Sequence, residues 1–435
     1  MSELMIEEPV TGMDVFLKEG EVSAWSQAAQ VLGLGLQLTG NRRVLEEEEG
    51  ASELFIPEVP ELTPEFIAPW AELFVQDHFK EPFPFRWLNF PGWSQPIQSE
   101  ITNLVTPAPE RWWEGELGEW ALEMMPRLYD AVRTSDDPAA AAATMLHVGQ
   151  LSPHQIVRVV SAALLAQRKT MLWWPTIEAL ADGCTSEIET IQQMAIEALI
   201  RVAPRHPVLK SLPQDNEQND GTDLAWTSII VPGTWTRFRR PSWWRPGEAL
   251  FRYLQGEPGT DEPNDGTLIA VGEDLYDRDD HYRWTGGYTF EDRIAAARDL
   301  SQWAAKHAAP SFKKVIAHSH GGNVALNAAA FNDLSIGMLV MLHTPPHQRS
   351  QDEWRLIGTR IKRIVAMRPK FDFVVMLDRC WTGLHRTPVT GNFPSERVRT
   401  LNVPIWFDHS ALTNPKAWRK HRLASEVAAE FNHVD

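Results

Sequence analysis

The chain is short of cysteine, of positive charge and of long apolar runs, and each shortage closes off a class of protein. Only two cysteines, Cys184 and Cys380, occur in 435 residues, far apart in the chain. That excludes a disulfide scaffold and matches no metal-ligand spacing, so both are expected to be reduced thiols. A net charge of −17 works against nucleic acid, whose phosphates need a basic surface. It also offers nothing to anionic lipid headgroups. The longest apolar runs, such as 336–342, are far shorter than the ~18 residues of a membrane span. No integral membrane segment is therefore expected. The opening residues, Met-Ser-Glu-Leu-Met-Ile-Glu-Glu, have no basic n-region and no apolar h-region, so no secretory signal is visible. The expected location is cytoplasmic, with signal-free export left open.

What is present is an ordinary globular composition, 43% hydrophobic and 23% charged, with ample length for a sizeable core. At roughly 100–200 residues per domain the chain holds two or three. Residues 1–110 are irregular or partly helical: 21–39 suits a helix weakened by Gly33 and Gly35, and 57–110 is crowded with prolines and aromatics. That crowded stretch is expected to wrap over another surface. Residues 111–211 are rich in Ala, Leu, Glu and Gln at helical spacing, with helices expected over 118–133, 137–148, 153–167, 172–182 and 186–203. The polar stretch 212–222 reads as a boundary.

From 223 to 435 apolar strands alternate with amphipathic helices. Strands are expected at 225–231, from 267 toward Trp284, and at 312–317, 336–342, 363–368 and 401–407. Helices are expected at 246–255, 290–307 behind Thr289, 320–331, 351–362 and 415–431. This alternation specifies an α/β fold: a doubly wound, mainly parallel sheet covered on both faces, preceded by a mostly helical N-terminal region.

The chemistry concentrates at Val-Ile-Ala-His-Ser-His-Gly-Gly, residues 315–322. An apolar strand runs into a serine on a tight turn, and small residues and a helix follow. That arrangement exposes a hydroxyl as a nucleophile, which needs a histidine base steadied by a carboxylate. Asp372 just past strand 363–368 and His409 just past strand 401–407 supply these in the order serine, acid, histidine. Asp378 serves as the acid if the strand ends later. Asp408 points away from its neighbour His409 in an extended segment. His343 and His347 precede the acid, and His421 and His433 fall within or after the last helix. His318 and His320 diverge from the turn with no third ligand at suitable spacing, so no metal is expected. The cluster Asp277, Asp279, Asp280 and His281 reads as a solvated loop.

These landmarks stand in a familiar order: Val-Pro-Gly-Thr-Trp at 231–235, Arg-Trp-Thr-Gly-Gly at 283–287, Ala-His-Ser-His-Gly-Gly at 317–322, Phe-Asp at 371–372, and Asp-His-Ser-Ala-Leu-Thr-Asn-Pro at 408–415. On them the C-terminal half resembles the lipase- and esterase-like branch of the α/β-hydrolases. Ala317 replaces the usual first glycine of the turn, a mild change. The resemblance implies Ser319 as nucleophile, Asp372 as acid and His409 as base. It implies an oxyanion hole from the backbone N–H of His320 and of Thr234, with Trp235 as the other candidate donor. It implies no cofactor. Trp235 and Trp243 have the best claim to touch substrate, a small-molecule or lipid ester with a lipid-like or aromatic acyl group. Rival expectations are a catalytically inactive hydrolase-fold scaffold and a phospholipase-type bacterial effector. The helical region would cap the cleft or bind a protein partner of its own, whose identity the sequence leaves unknown.

Overall fold

The computed structural model describes residues 21–46, 58–60, 68–81, 111–167, 174–212, 228–234, 243–256, 271–272, 274–278, 280–307, 311–382 and 390–431. The Pro- and aromatic-rich stretch 82–110, the boundary segment 213–222, the strand start 267–270, and Trp173, Trp235 and Asp279 lie outside them.

The chain divides into two compact units. One comprises Met1–Leu212 with Met376–His385 and Trp406–Asp408; the other comprises Pro213–Val375, Arg386–Ile405 and His409–Asp435. The described helices of the first are α1 (Glu21–Leu38), α2 (Arg42–Glu46), α3 (Ala68–Phe74), α4 (Glu116–Thr134), α5 (Pro138–Gly149), α6 (Gln155–Ala166), α7 (Trp174–Gly183), α8 (Glu189–Val202) and α9 (Pro207–Ser211). Helix α1 shows why Gly35 stands within it. Every residue from Val31 to Leu38 is buried, and a helix apolar all round needs neighbours on every side. A Cβ on Gly35 would lie 2.5 Å from a Leu164 methyl, so the glycine permits a close crossing of α1 and α6. Arg158 is buried here, but its charge is matched. It donates to Asp182 at 2.6 Å and to the Ser152 carbonyl at 2.6 Å, and stacks over Trp113.

The second unit holds a five-stranded parallel sheet: β1 (Ser228–Val231), β2 (Ser311–His318), β3 (Ser335–Leu342), β4 (Ile361–Asp372) and β5 (Val398–Phe407), in that spatial order. Its helices are α10 (Ala249–Leu254), α11 (Phe290–Lys306), α12 (His320–Phe331), α13 (Gln351–Arg360), α15 (Pro415–Lys420) and α16 (Leu423–Phe431), while α14 (Phe373–Thr382) begins in this unit and belongs to the first from Met376 onward. Alternate strand residues Val231, Ala317, Met341 and Ala366 join one core with Ala297, Val324 and Ile357 from α11, α12 and α13. Their neighbours Ile230, Ile316, Val340 and Val365 are also buried. Burial on both faces is why these strands read as unbroken apolar runs. On the second face α16 is tied down by an Arg363–Glu430 ion pair and by Phe431 beneath the Lys314 ammonium. Helices α11 and α13 each begin on a capping box, from Thr289 with Asp292 and from Ser350 with Glu353. Such a box satisfies two otherwise orphan N–H groups.

Four details differ from the sequence expectation. Among the described residues from 271 to 284 there is no strand, only an isolated bridge between Leu275 and Ser228 of β1. Strand β4 starts at Ile361 and runs on to Asp372, beyond the expected 363–368. The helix expected over 415–431 is two helices, broken where Arg422 takes a positive φ of 54°. Asp280 is not solvated: its carboxylate accepts from the Tyr276 hydroxyl and pairs with His307 Nε2 at 3.3 Å.

Candidate active site

Parallel pairing puts the strand ends side by side. Val231 is level with Ala317, and His318 with Leu342. The residues just past those ends therefore collect at the carboxyl edge of the sheet, where open α/β sheets place their sites. Ser319 stands between β2 and α12 with φ 52° and ψ −135°. A non-glycine residue in this region costs of order 1–3 kcal/mol and persists only where its surroundings enforce it. Here the enforcement is visible. A Cβ on Gly321 would lie 2.5 Å from the carbonyl oxygens of both Val231 and Pro232. The first turn of α12 is thus pressed against the end of β1. The Ser319 N–H donates to Leu342 O at 2.8 Å. The residue is only 1% exposed, and its hydroxyl has no hydrogen-bond partner among the described residues.

The loop 232–234 packs on the same turn. The Trp284 indole donates to Pro232 O at 2.8 Å, and a Cβ on Gly233 would come within 2.8 Å of Ser319 Cβ. Thr234 is buried, and its hydroxyl also finds no partner among the described residues. Buried hydroxyls without partners are rare and call for an explanation. His320 opens α12; its ring lies beside the Asn323 amide, Nδ1 to Nδ2 3.2 Å, and edge-on to Tyr288. His318 instead sets Nε2 2.9 Å from His409 O, with Trp243 edge-on to it at 5.5 Å. The two flanking histidines thus have separate surroundings.

Asp372 is the last residue of β4. Its Oδ1 accepts the backbone N–H groups of Val374 at 2.9 Å and Val375 at 3.1 Å. Its Oδ2 lies 2.7 Å from His409 Nδ1 and 2.8 Å from His343 Nδ1. Burial alone raises this carboxyl. Electrostatic attraction to His409 and His343 and the hydrogen bonds from both imidazoles reverse that and hold it well below the ordinary carboxylate range. Asp378, the alternative acid, is buried and has Arg201 Nη2 3.8 Å from its Oδ1. Asp408 accepts from the Thr190 hydroxyl at 3.0 Å.

The structure therefore brings Asp372 and His409 into contact and packs Thr234's loop on Ser319. Sequence reasoning passed over His343, because it precedes the acid in the chain. The signal was there: it is the first residue after the apolar run of β3, as Ser319 is after β2. His343, Asp372 and His409 form a cluster of metal-ligand type. Their nitrogen–oxygen distances of 2.7 and 2.8 Å are those of hydrogen bonds. Ligands at ~2.1 Å around one tetrahedral zinc lie about 3.4 Å apart.

Beneath α12, Arg349 is buried and donates to Asn327 Oδ1 at 2.6 Å and Asn323 Oδ1 at 3.2 Å. Burial lowers its guanidinium to about 10. These bonds fix the helix that carries the turn. No known protein-family model matches the chain, and no curated protein matches it.

Proposed function

We propose that this protein is a serine hydrolase of the α/β-hydrolase type that cleaves carboxylic esters through an acyl-enzyme. The observation that carries this reading is the pairing of Asp372 Oδ2 with His409 Nδ1 at 2.7 Å. It stands at the sheet edge where Ser319 holds a strained turn and its hydroxyl has no hydrogen-bond partner among the described residues. A buried ionised carboxylate on one imidazole nitrogen leaves the other as the base.

In the proposed reaction Ser319 Oγ attacks the ester carbonyl while His409 Nε2 takes its proton. The backbone N–H groups of His320 and Thr234 stabilise the oxyanion. Collapse expels the alcohol, which leaves with the proton from His409. Water then attacks the acyl-enzyme by the same route, releasing the acid and restoring Ser319. Trp243, largely buried and edge-on to His318 at 5.5 Å, favours an apolar or aromatic acyl group.

The near-complete burial of Ser319 favours one other reading, a hydrolase-like scaffold without turnover. A fluorophosphonate probe separates the two. Wild type is expected to be labelled on Ser319, with labelling lost in Ser319→Ala and in His409→Ala. Absence of Ser319 labelling in a folded wild-type protein would establish the scaffold reading instead.

A further inference from the structure

One side chain in the cluster has no part in the proposed reaction. Asp372 accepts four donors, two on each oxygen: the N–H groups of Val374 and Val375 on Oδ1, and the Nδ1 atoms of His409 and His343 on Oδ2. A carboxylate has about four lone-pair sites, so every one is filled and the group has no freedom to turn. Both imidazole side chains have no exposed surface. Their ring centroids are 5.3 Å apart, and His318 stands 4.9 Å from His409 and 5.9 Å from His343. The titratable groups facing the carboxylate are thus His343 from the end of β3, His409 from beyond β5 and, behind them, His318 from β2.

We propose that His343 is a positioning residue: a second imidazole on Asp372 that fixes the carboxylate's direction and divides its negative charge with His409. The proposal rests on the serine hydrolase reading for its kinetic consequence, while its structural content stands apart from it. With Nδ1–H of each ring directed at Oδ2, each ring keeps its proton on Nδ1. Because one oxygen serves two donors, neither bond receives the whole of its charge. Removing His343 frees one lone-pair site and concentrates the charge on His409. That favours the imidazolium there, so the base loses its lone pair at a higher pH than before.

The test compares wild type, His343→Phe and His343→Gln as full-length chains. The first readout is fluorophosphonate labelling rate against pH. His343→Phe is expected to move the acid limb upward by about one pH unit and to lower the plateau by about tenfold, through loss of alignment. His343→Gln, whose side-chain amide can still donate to Oδ2, is expected to recover most of both. A role confined to packing would change folded yield and leave the limb in place. The second readout needs no turnover: the Nδ1–H resonances of 15N-histidine-labelled protein. Wild type should show two carboxylate-bonded protons, both displaced by Asp372→Asn. His343→Phe should remove one and send the other further downfield. An acid limb and a remaining resonance both unmoved in folded His343→Phe would overturn the proposal. So would survival of labelling in His409→Phe with its loss in His343→Phe, which would make His343 the base. Failure of wild type to label, with both resonances behaving as described, would count against the hydrolase reading alone.

Discussion

His147 in α5 and His409 beyond β5 are both fully buried, yet they sit in different kinds of interior. Residues Ala140–Gly149 around His147 are all buried, and burial pushes its imidazole down to about 3. It is kept neutral, as an apolar packing group would be. His409 is buried against a carboxylate whose other sites are all taken. Burial by itself removes a titratable group from chemistry. Burial together with a fixed opposite charge prepares the same group for proton transfer. The helical unit holds the first arrangement, and the proposed reaction draws on the second, in the sheet unit.

The strongest way to break this contrast is to remove the charge that makes it. Asp372→Asn is expected to lower the rate of Ser319 labelling by about 10⁴-fold, the scale on which a serine hydrolase loses rate with its triad acid, if the proposed roles hold. Asp378→Asn should stay within about tenfold of wild type, because Asp378 pairs with Arg201. Equal losses in the two variants would show that the cluster around Oδ2 is not what matters. The next effect is on stability, in the helical unit. His147 is neutral when folded and takes a proton below about 6.5 when unfolded. Its contribution therefore falls as pH drops from about 6.5 and levels off only near 3. Between pH 7 and pH 4 this amounts to ~3 kcal/mol. Urea unfolding at the two pH values should show that loss in wild type and not in His147→Gln.

Gly321→Ala sharpens the sheet side. Its added methyl meets two backbone carbonyls at 2.5 Å, and a cost of about 2 kcal/mol in thermal unfolding is expected, with Ser319 labelling reduced as the turn opens. The smallest effect is a control. Thr289→Ala removes the cap of α11 and should cost about 1 kcal/mol while leaving the labelling rate unchanged.

Much of the sheet unit was legible because its signals are local. The helix expected at 320–331 is α12 to the residue, and strand β2 differs from its expected 312–317 by one residue at each end. There an unbroken apolar run meets small residues at a forced turn. The Thr289 cap was equally plain. Of the candidate site, one contact was legible: Asp372 and His409 were marked by strand ends, and they touch. His343 also follows a strand end, but its contact with Asp372 depends on the register of β3 with β4, which no local pattern encodes. The length of β4 was hidden by Arg368-Pro369-Lys370, which reads as a turn. These residues lie beyond Met367, the last in register with β3, where a proline interrupts no bond to that strand. Between 271 and 284 the buried aromatics Tyr276, Tyr282 and Trp284 look like a strand by composition. They are held instead by side-chain bonds, such as the Tyr282 hydroxyl to Ala296 O at 2.7 Å. The break at Arg422 has no sequence mark, since arginine seldom adopts positive φ.

The two oxygens of Asp372 have one further consequence. The oxygen opposite the histidines caps the first turn of α14 through Val374 and Val375. Any event that turns or neutralises the carboxylate also loosens those two amides. Hydrogen–deuterium exchange at Val374 and Val375 is therefore a built-in gauge of the histidine pair, readable from the backbone without substrate or probe.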